Sequence, residues 1–402
     1  MIDRHFLRQN PKTVKASLVD RGDDPGKVDQ FLVLDRQWRD DLKKVELLRR
    51  EKNQLSAGSK PNATQLRQAK AIAKQEGVLT KRISALESEL EEILLSIPNL
   101  IDESVPRGAG ESANKVIKTV GRPSVKSGLA HHELMTQLGW LDLKTAAHCS
   151  GSRFRYLLGD AAVAHWRLMS EALTLARKRG FSPVIPPSVT RYLTLQGAGF
   201  FPTYKEDVFK LENEDRYLTG TSEQTLLALS AAKHYLPDEL PVRYVGFSTC
   251  YRREAGSYGK DVEGMFRQHQ FDKVELVSVT RPEDSAKELD YLVQTQEQFV
   301  KLLALPYQLV SVGSGDLGQS ASKKIDIETW FPSQQRYRET HSASNCTDYQ
   351  ARRLNIKLKR SDPQSEFAHT LNATLATERL LIAAVENSQR SDGSVKLPKL
   401  LR

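Results

Sequence analysis

TCYRREAGSYGKDVEGMFRQHQFDKVE, residues 249–275, is the stretch on which the reading of the chain turns. Two strand-like runs flank a polar, glycine-containing loop. The first, Thr249 to Glu254, carries Arg252 and Glu254 two apart. The second, Phe266 to Val279, carries Arg267, His269, Phe271, Lys273 and Glu275 at every other position. Strand side chains alternate between faces, so each set is expected to line one surface of an antiparallel pair. Guanidinium groups suit phosphate, a flat ring suits stacking, and carboxylates suit an ammonium, a hydroxyl or a metal. That assortment fits a nucleotide triphosphate plus a small amino compound. Periodicity alone fits equally well a solvated sheet face of alternating charges.

The 402 residues imply about two or three domains. Hydrophobic content of 39% and charged content of 27% describe a globular protein. No run of 18 or more apolar residues exists, so no membrane span is expected. The opening MIDRHFLRQNP lacks an apolar core, so no secretory signal is evident. Cys149, Cys250 and Cys346 are odd in number and far apart, as reduced thiols in a cytoplasmic protein would be, and no pair has zinc-ligand spacing. No zinc is expected.

The net charge of +9 is uneven: Lys43 to Arg82 contains eleven Lys/Arg against three Glu. Lys43, Lys44, Arg49, Arg50, Lys52, Lys60, Arg67, Lys70 and Lys74 are the candidate contacts for a polyanion. They lie on a heptad pattern. Phe31, Trp38 and Val45 interleave with Leu34, Leu48 and Leu55, broken at Asp41 with Leu42 beside it. Leu79, Leu86 and Ile93 interleave with Ile83, Leu90 and Ile97. SAGSKPNA (56–63) separates the two runs and Pro98 ends the second, so the reading is an antiparallel coiled-coil hairpin over about residues 27–98. Such an arm, basic towards its tip and acidic near its base, is shaped to grip RNA phosphates. Taken alone, it reads sooner as a dimerising coiled coil or a spacer; the charge asymmetry and the rest of the chain turn the reading towards RNA. A polar connector follows around 109–127.

Beyond it the pattern is α+β. Helices are expected at 129–138 and 160–179, and strands at 243–251, 266–279, 307–312 and 325–331. No glycine-rich P-loop or GxGxxG appears, which disfavours Walker-type and Rossmann nucleotide binding.

The stretch 249–275 resembles motif 2 of class II aminoacyl-tRNA synthetases, in the form seen in seryl-tRNA synthetases: Arg-x-Glu, a loop, then Arg-Gln-His-Gln-Phe-x-Lys-Val-Glu. Further blocks are similar to the same family. GFSPVIPPSV (180–189) resembles motif 1, which builds a homodimer interface. Thr221-Ser222-Glu223 sits at the serine-binding Thr-x-Glu loop; on residues alone it is a helix N-cap. DIETWFPSQQRYRE (326–339) leads into Glu339-Thr340-His341-Ser342. HTLNATLATERLLIAAVEN (369–387) resembles motif 3, with Leu375, Ile382 and Val385 read as a helical apolar side. The N-terminal hairpin, through SIPNLIDESVPRG (96–108), is similar to the family's tRNA-binding arm. The likeness runs through SDGSVKLPKLLR (391–402).

The resemblance implies a class II antiparallel sheet flanked by helices at 128–402, an all-α arm at 1–108, and a homodimer. It implies serine activation by ATP with Mg²⁺, then transfer to the terminal ribose of tRNA(Ser), and of tRNA(Sec) where that exists. Arg252, Arg267 and Arg379 become the catalytic residues. Arg252, Glu254, Arg267, Phe271, Glu339, Thr340, His341, Ser342 and Arg379 become the ATP site, with Glu339 and Ser342 as metal ligands. Thr221, Ser222, Glu223, Arg252, Glu275 and Thr374 become the serine site. Glu275 and Thr374 would read the serine hydroxyl, and an alanine there would leave a buried carboxylate unpaired.

The chain departs from the family form Asn-Gly-Ser-Gly-Leu-Ala-x-Gly-Arg, replaced by Asn372-Ala373-Thr374-Leu375-Ala376-Thr377-Glu378-Arg379. Ser222 stands where alanine is usual, and Thr340-His341 is an unusual filling of Glu-x-x-Ser. The alternative reading is a non-catalytic RNA-binding or regulatory homodimer that keeps the fold.

Overall fold

The computed structural model describes residues 1–56, 62–125, 127–255, 264–360 and 366–402. Lys60 and the loop between the two runs of 249–275 lie outside the described residues. The chain divides into two compact units, Ile2–Pro98 and Asn99–Arg402, with Met1 counted in the second.

The first unit is helical: α1 (Arg4–Gln9), α2 (Pro11–Asp20), α3 (Gly26–Ser56) and α4 (Ala63–Ser96). Asn62 caps α4 reciprocally with Gln65, through Gln65 N–H to Asn62 Oδ1 at 2.9 Å and Asn62 N–H to Gln65 Oε1 at 2.8 Å. Cross-links show that α3 and α4 run antiparallel. Trp38 donates to Glu87, Asp41 pairs with Arg82, and Arg49 pairs with Glu76, so positions climb in one helix as they fall in the other. Phe31, Val45, Ile83, Leu86 and Leu90 fill the seam. Asp41 breaks the heptad series and is only 1% exposed; Arg82 at 3.1 Å and Lys44 at 3.3 Å balance its charge.

The second unit is built on an eight-stranded sheet. Its strands are β1 (Lys115–Val120), β2 (Ser182–Val184), β3 (Val242–Tyr251), β4 (Gln270–Thr280), β5 (Tyr307–Ser311), β6 (Lys323–Phe331), β7 (Arg336–Asn345) and β8 (His369–Thr377). Their order across the sheet is β1-β5-β6-β7-β8-β4-β3-β2. All neighbours are antiparallel except β2 with β3. Helices α5 (His131–Gln137), α6 (Gly159–Lys178), α7 (Glu223–Ala228), α8 (Ser285–Leu302) and α9 (Glu378–Asn387) surround it.

Period-two alternation along β4 divides the sheet into two faces. Val274 and Leu276 join the main core with Leu168 of α6, Phe299 of α8 and Leu381 of α9. Lys273 and Glu275 point the other way, and the next residue on that face, Val277, packs under Leu226 and Leu227 of α7. The functional face is thus opposite the large helices. No helix among the described residues is long and apolar enough to cross a membrane.

Four sequence expectations change. Residues 99–108 belong with the second unit: Asn99 Nδ2 donates to the carbonyls of Ser320 and Cys346, and Gly315 N–H donates to Gly108 O. The supposed connector at 109–127 contains β1, an edge strand exposed on both faces and therefore without alternation. β3 ends at Tyr251 and β4 begins at Gln270, each inside its run, so Arg252, Glu254, Arg267 and His269 stand on the chain beyond their ends. Leu375 lies in β8; the helix of motif 3 begins only at Glu378.

Candidate active site

Loss of strand structure does not scatter the first set of residues. Past the ends of β3 and β4 the hairpin continues through Arg252 N–H to His269 O at 2.9 Å, while His269 Nδ1 lies 2.9 Å from Arg252 O. Arg252 is fixed twice more. Its Nε donates to Gly220 O at 3.2 Å, and its guanidinium sits 5.1 Å from the centre of the Phe271 ring. Glu254 takes a left-handed backbone, φ 51°, and accepts from Arg267 Nη1 at 2.7 Å.

The cavity exists because two central strands part. β7 and β8 pair only from Ala343↔Ala373 to Asn345↔Leu371. Beyond that point the Gln296 amide of α8, itself buried, donates to Ser342 O at 2.9 Å and to Thr374 O at 2.7 Å. It satisfies two carbonyls that would otherwise face each other's strand. The opening holds a cavity of about 330 Å³. It is lined by Thr221, Glu223, Arg252, Glu254, Arg267, Phe271, Glu275, Glu339, Thr340, His341, Ser342, Thr374 and Arg379. Every residue expected for nucleotide or serine contact is there except Ser222. That hydroxyl is buried and donates to Gly246 O at 3.3 Å, beneath the start of α7.

The cavity is polarised. Its buried end is acidic: Glu275, 1% exposed, pairs with Lys273 and accepts from Thr374 Oγ1 at 3.4 Å. Register sets Thr374 directly across from Glu275. Glu223 accepts from Gln350 Nε2 at 2.7 Å and Asn372 Nδ2 at 3.0 Å. Burial, and then the charge of Glu275, push the Glu223 carboxyl up to about 7. The more open end carries guanidinium groups. Arg379, second residue of α9, donates from Nη1 to Glu339 O at 3.0 Å and reaches Glu339 Oε2 at 3.4 Å. Burial would raise Glu339, but the cations Lys324, Arg379 and Arg252 prevail and hold it near 2.

An ionised carboxylate at Glu339 and the hydroxyl of Ser342, three residues on and lining the same cavity, are hard oxygen donors beside a phosphate-sized opening. Donors of that kind are the ones a magnesium ion would take. Thr340 and His341 serve the wall differently. Thr340 Oγ1 lies 3.3 Å from Ile327 O and 2.9 Å from His341 Nδ1, and burial pushes the His341 imidazole down to about 3, so it is neutral.

The departure at Glu378, where the family form has glycine, is answered from outside the motif. Glu378 pairs with Arg155 and accepts from Asp272 N–H at 2.9 Å. Asp272 also takes His165 Nε2 at 2.8 Å and Thr249 Oγ1 at 2.7 Å. Among the described residues, His165, Asp272 and Glu378 bring ligand-type atoms within 4.8 Å, but these bonds make them a buried ion network beneath the cavity. Sequence reasoning missed Gln296 and Arg155, which lie far from the motifs and carry no periodic signal, and it gave no role to Gln350, eight residues after Ser342.

Comparison with known proteins agrees with this geometry. Residues 1–101 match the seryl-tRNA synthetase N-terminal domain, and residues 205–388 match the class II tRNA synthetase core domain for G, H, P, S and T. The serine–tRNA ligase of Acidothermus cellulolyticus is 43% identical over 410 residues, covering 100% of this chain and 97% of the relative. The crystal structure of seryl-tRNA synthetase from Pyrococcus horikoshii complexed with ATP superposes with a TM-score of 0.94 at 37% identity, over 100% of this chain and 97% of that one. The cytoplasmic serine–tRNA ligase of Naegleria fowleri in complex with AMP gives 0.90 at 33% identity, over 100% and 96%. Matched along its whole length in sequence and in fold, the chain belongs to the seryl-tRNA synthetase family of class II aminoacyl-tRNA synthetases.

Proposed function

We propose that this protein joins L-serine to ATP as seryl-adenylate and passes the seryl group to the terminal ribose of tRNA(Ser). The observation that carries this reading is the polarity of one cavity, buried and acidic at Glu223 and Glu275, with the Thr374 hydroxyl beside them, and cationic at Arg252, Arg267 and Arg379. An amino acid offers an ammonium at one end and a carboxylate at the other, and only the carboxylate must meet the triphosphate.

The first step brings two anions together, so catalysis is positioning plus charge neutralisation. Glu223 and Thr221 hold the serine ammonium; Glu275 and Thr374 hold its hydroxyl. Arg252 receives both the serine carboxylate and the α-phosphate, which sets the attacking oxygen against phosphorus. Arg267 and Arg379 take the outer phosphates and stabilise the departing pyrophosphate. Phe271 stacks the adenine, with Glu254 on the adenine or ribose side. Glu339 and Ser342 would hold Mg²⁺, which when bound neutralises phosphate charge. Thr340 and His341 shape the wall without bearing charge. The basic face of α3 and α4 binds tRNA(Ser).

The protein acts as a homodimer through motif 1. Support comes from exposed apolar side chains in and around it: Ile185 at 99% exposure within the stretch, Leu193 at 73% just after it and Trp166 at 63% on α6, the helix before it. Scattered thiols, two of them buried, fit a cytoplasmic setting.

The test is serine-dependent exchange of pyrophosphate into ATP, with threonine, alanine and glycine as controls. Exchange with serine alone is expected, and Arg379→Ala should lower it by two or more orders of magnitude, as loss of a group acting on developing charge does. Absence of exchange from folded protein would instead favour the non-catalytic RNA-binding homodimer.

A further inference from the structure

We propose that Gln296 of α8, which is not among the residues lining the cavity, is a positioning residue for the choice of serine over alanine. The inference rests on the function proposed above. β7 and β8 pair from Asn345↔Leu371 to Ala343↔Ala373, and in that register Ser342 and Thr374 would make the next rung. The Gln296 amide stands in for it. Its two N–H groups reach Ser342 O at 2.9 Å and Thr374 O at 2.7 Å. α8 packs on the core side of the sheet through Phe299, so the amide enters between the strands from the face opposite the cavity. Gln296 is fully buried, and its Oε1 has no hydrogen-bond partner among the described residues. The two strand carbonyls therefore fix the amide, and the amide fixes them.

Each strand carries an extra residue close to this clamp. In β7, Ser342 stands opposite Asp326 and Glu339 opposite Glu328 on β6, with Thr340 the extra residue between them. In β8, Thr374 stands opposite Glu275 and Thr377 opposite Lys273 on β4, with Leu375 the extra residue. A bulge shifts the alternation of side chains by one. Glu339 and Ser342, three apart, thus share one face of the sheet, and so do Thr374 and Thr377. All four line the cavity. Gln296 holds each strand within two residues of its bulge, where the side chains are turned towards the ligand.

The consequence falls on the Thr374 hydroxyl. It donates to Glu275 Oε2 at 3.4 Å, longer than such a bond normally is, so a small shift of the Thr374 backbone breaks it. Without the amide two buried carbonyls lose their donor, and the strands relieve that only by closing the gap or admitting water. Either change moves Thr374 relative to Glu275. A ligand that offers a hydroxyl to this pair feels the shift, and one without a hydroxyl does not. The ammonium and carboxylate, held at Glu223 and Arg252 on other elements, are common to serine and alanine.

The test uses two unreactive ligands, the sulfamoyl-adenosine analogues of seryl-adenylate and alanyl-adenylate, with Kd measured for each on the full-length protein. Gln296→Met keeps the volume and removes both donors. Gln296→Glu keeps the shape, and its buried carboxyl, which must take a proton there, offers one donor. The seryl analogue should bind Gln296→Met about tenfold or more weakly than wild type, with Gln296→Glu in between, while the alanyl analogue stays within about twofold. Equal weakening of both analogues in protein that melts normally would overturn the proposal, because a cavity loosened as a whole treats them alike. An unchanged preference for the seryl analogue would overturn it too. If Gln296→Met does not fold, Gln296→Glu decides. Failure of the wild type to prefer the seryl analogue would remove the underlying function instead.

Discussion

Two carboxylates buried side by side make the serine end of the site sensitive to pH. Glu223 is raised to about 7, first by burial and then by Glu275, against the opposing pull of the Gln350 hydrogen bond, Lys273 and Arg252. The native state therefore binds this proton more tightly than the unfolded chain does. Stability falls as pH rises from the ordinary carboxylate range through about 7, and above that the ionised Glu223 costs the free protein. Serine binding runs the other way, because its ammonium needs the carboxylate. kcat/KM for serine in pyrophosphate exchange should thus climb as pH rises through about 7. Glu223→Gln should flatten that limb, weaken serine use, and raise the Tm of the free protein near pH 8; a flat wild-type profile would remove this role from Glu223. The residue itself was legible through its Thr-x-Glu context. Its perturbation was not, since Gln350 and Asn372, which hold it, approach only when the sheet has formed.

Strands and long helices were legible because their side chains obey a period: α6 was expected at 160–179 and spans Gly159–Lys178, and β5 was expected at 307–312 and spans Tyr307–Ser311. What periodicity misses are the joints between elements. One such joint aligns Arg267. Glu386, near the end of α9, accepts from the His131 backbone N–H at 3.0 Å and lies 2.9 Å from its ring Nδ1. Nδ1 therefore bears the hydrogen, and Nε2 accepts from Met265 N–H at 2.9 Å. Gly264, at φ +74°, is packed so closely that a Cβ would lie 2.3 Å from that nitrogen. Phe266 meets the His131 ring edge-on at 5.2 Å and Phe331 at 4.8 Å, and Arg267 follows directly. The start of α5 and the end of α9 thus clamp the chain leading into the cationic end of the cavity. His131→Ala leaves the buried Met265 N–H without its acceptor and removes the ring's bond to Glu386, and should cost about 1–3 kcal/mol. Its diagnostic effect is a raised KM for ATP with KM for serine little changed; equal increases in both would mean that the clamp holds the whole cavity and not the nucleotide end.

At the scale of the molecule, two further sets of residues, one apolar and one basic, take no part in lining the cavity. The motif 1 surface predicts that Ile185→Asp with Trp166→Glu gives a monomer by light scattering, since two charges then replace apolar contact area. The basic surface belongs to the other compact unit. There Arg49 and Lys52 pair with Glu76, and Lys44 with Asp41, whereas Lys43, Arg50, Arg67, Lys70 and Lys74 form no ion pair among the described residues. These five remain available to phosphate, and each contact to a nucleic acid releases counterions and steepens the salt dependence of binding. Every residue that lines the cavity lies in Asn99–Arg402, so serine activation and RNA binding as proposed are separable by mutation. Reversing Arg67, Lys70 and Lys74 to glutamate should leave pyrophosphate exchange within about twofold, raise KM for tRNA(Ser) by one or more orders of magnitude, and flatten its dependence on salt by up to about three counterions. An unchanged KM and salt slope would move RNA recognition off this arm and on to the sheet-bearing unit, where the cations beside the cavity would have to supply it.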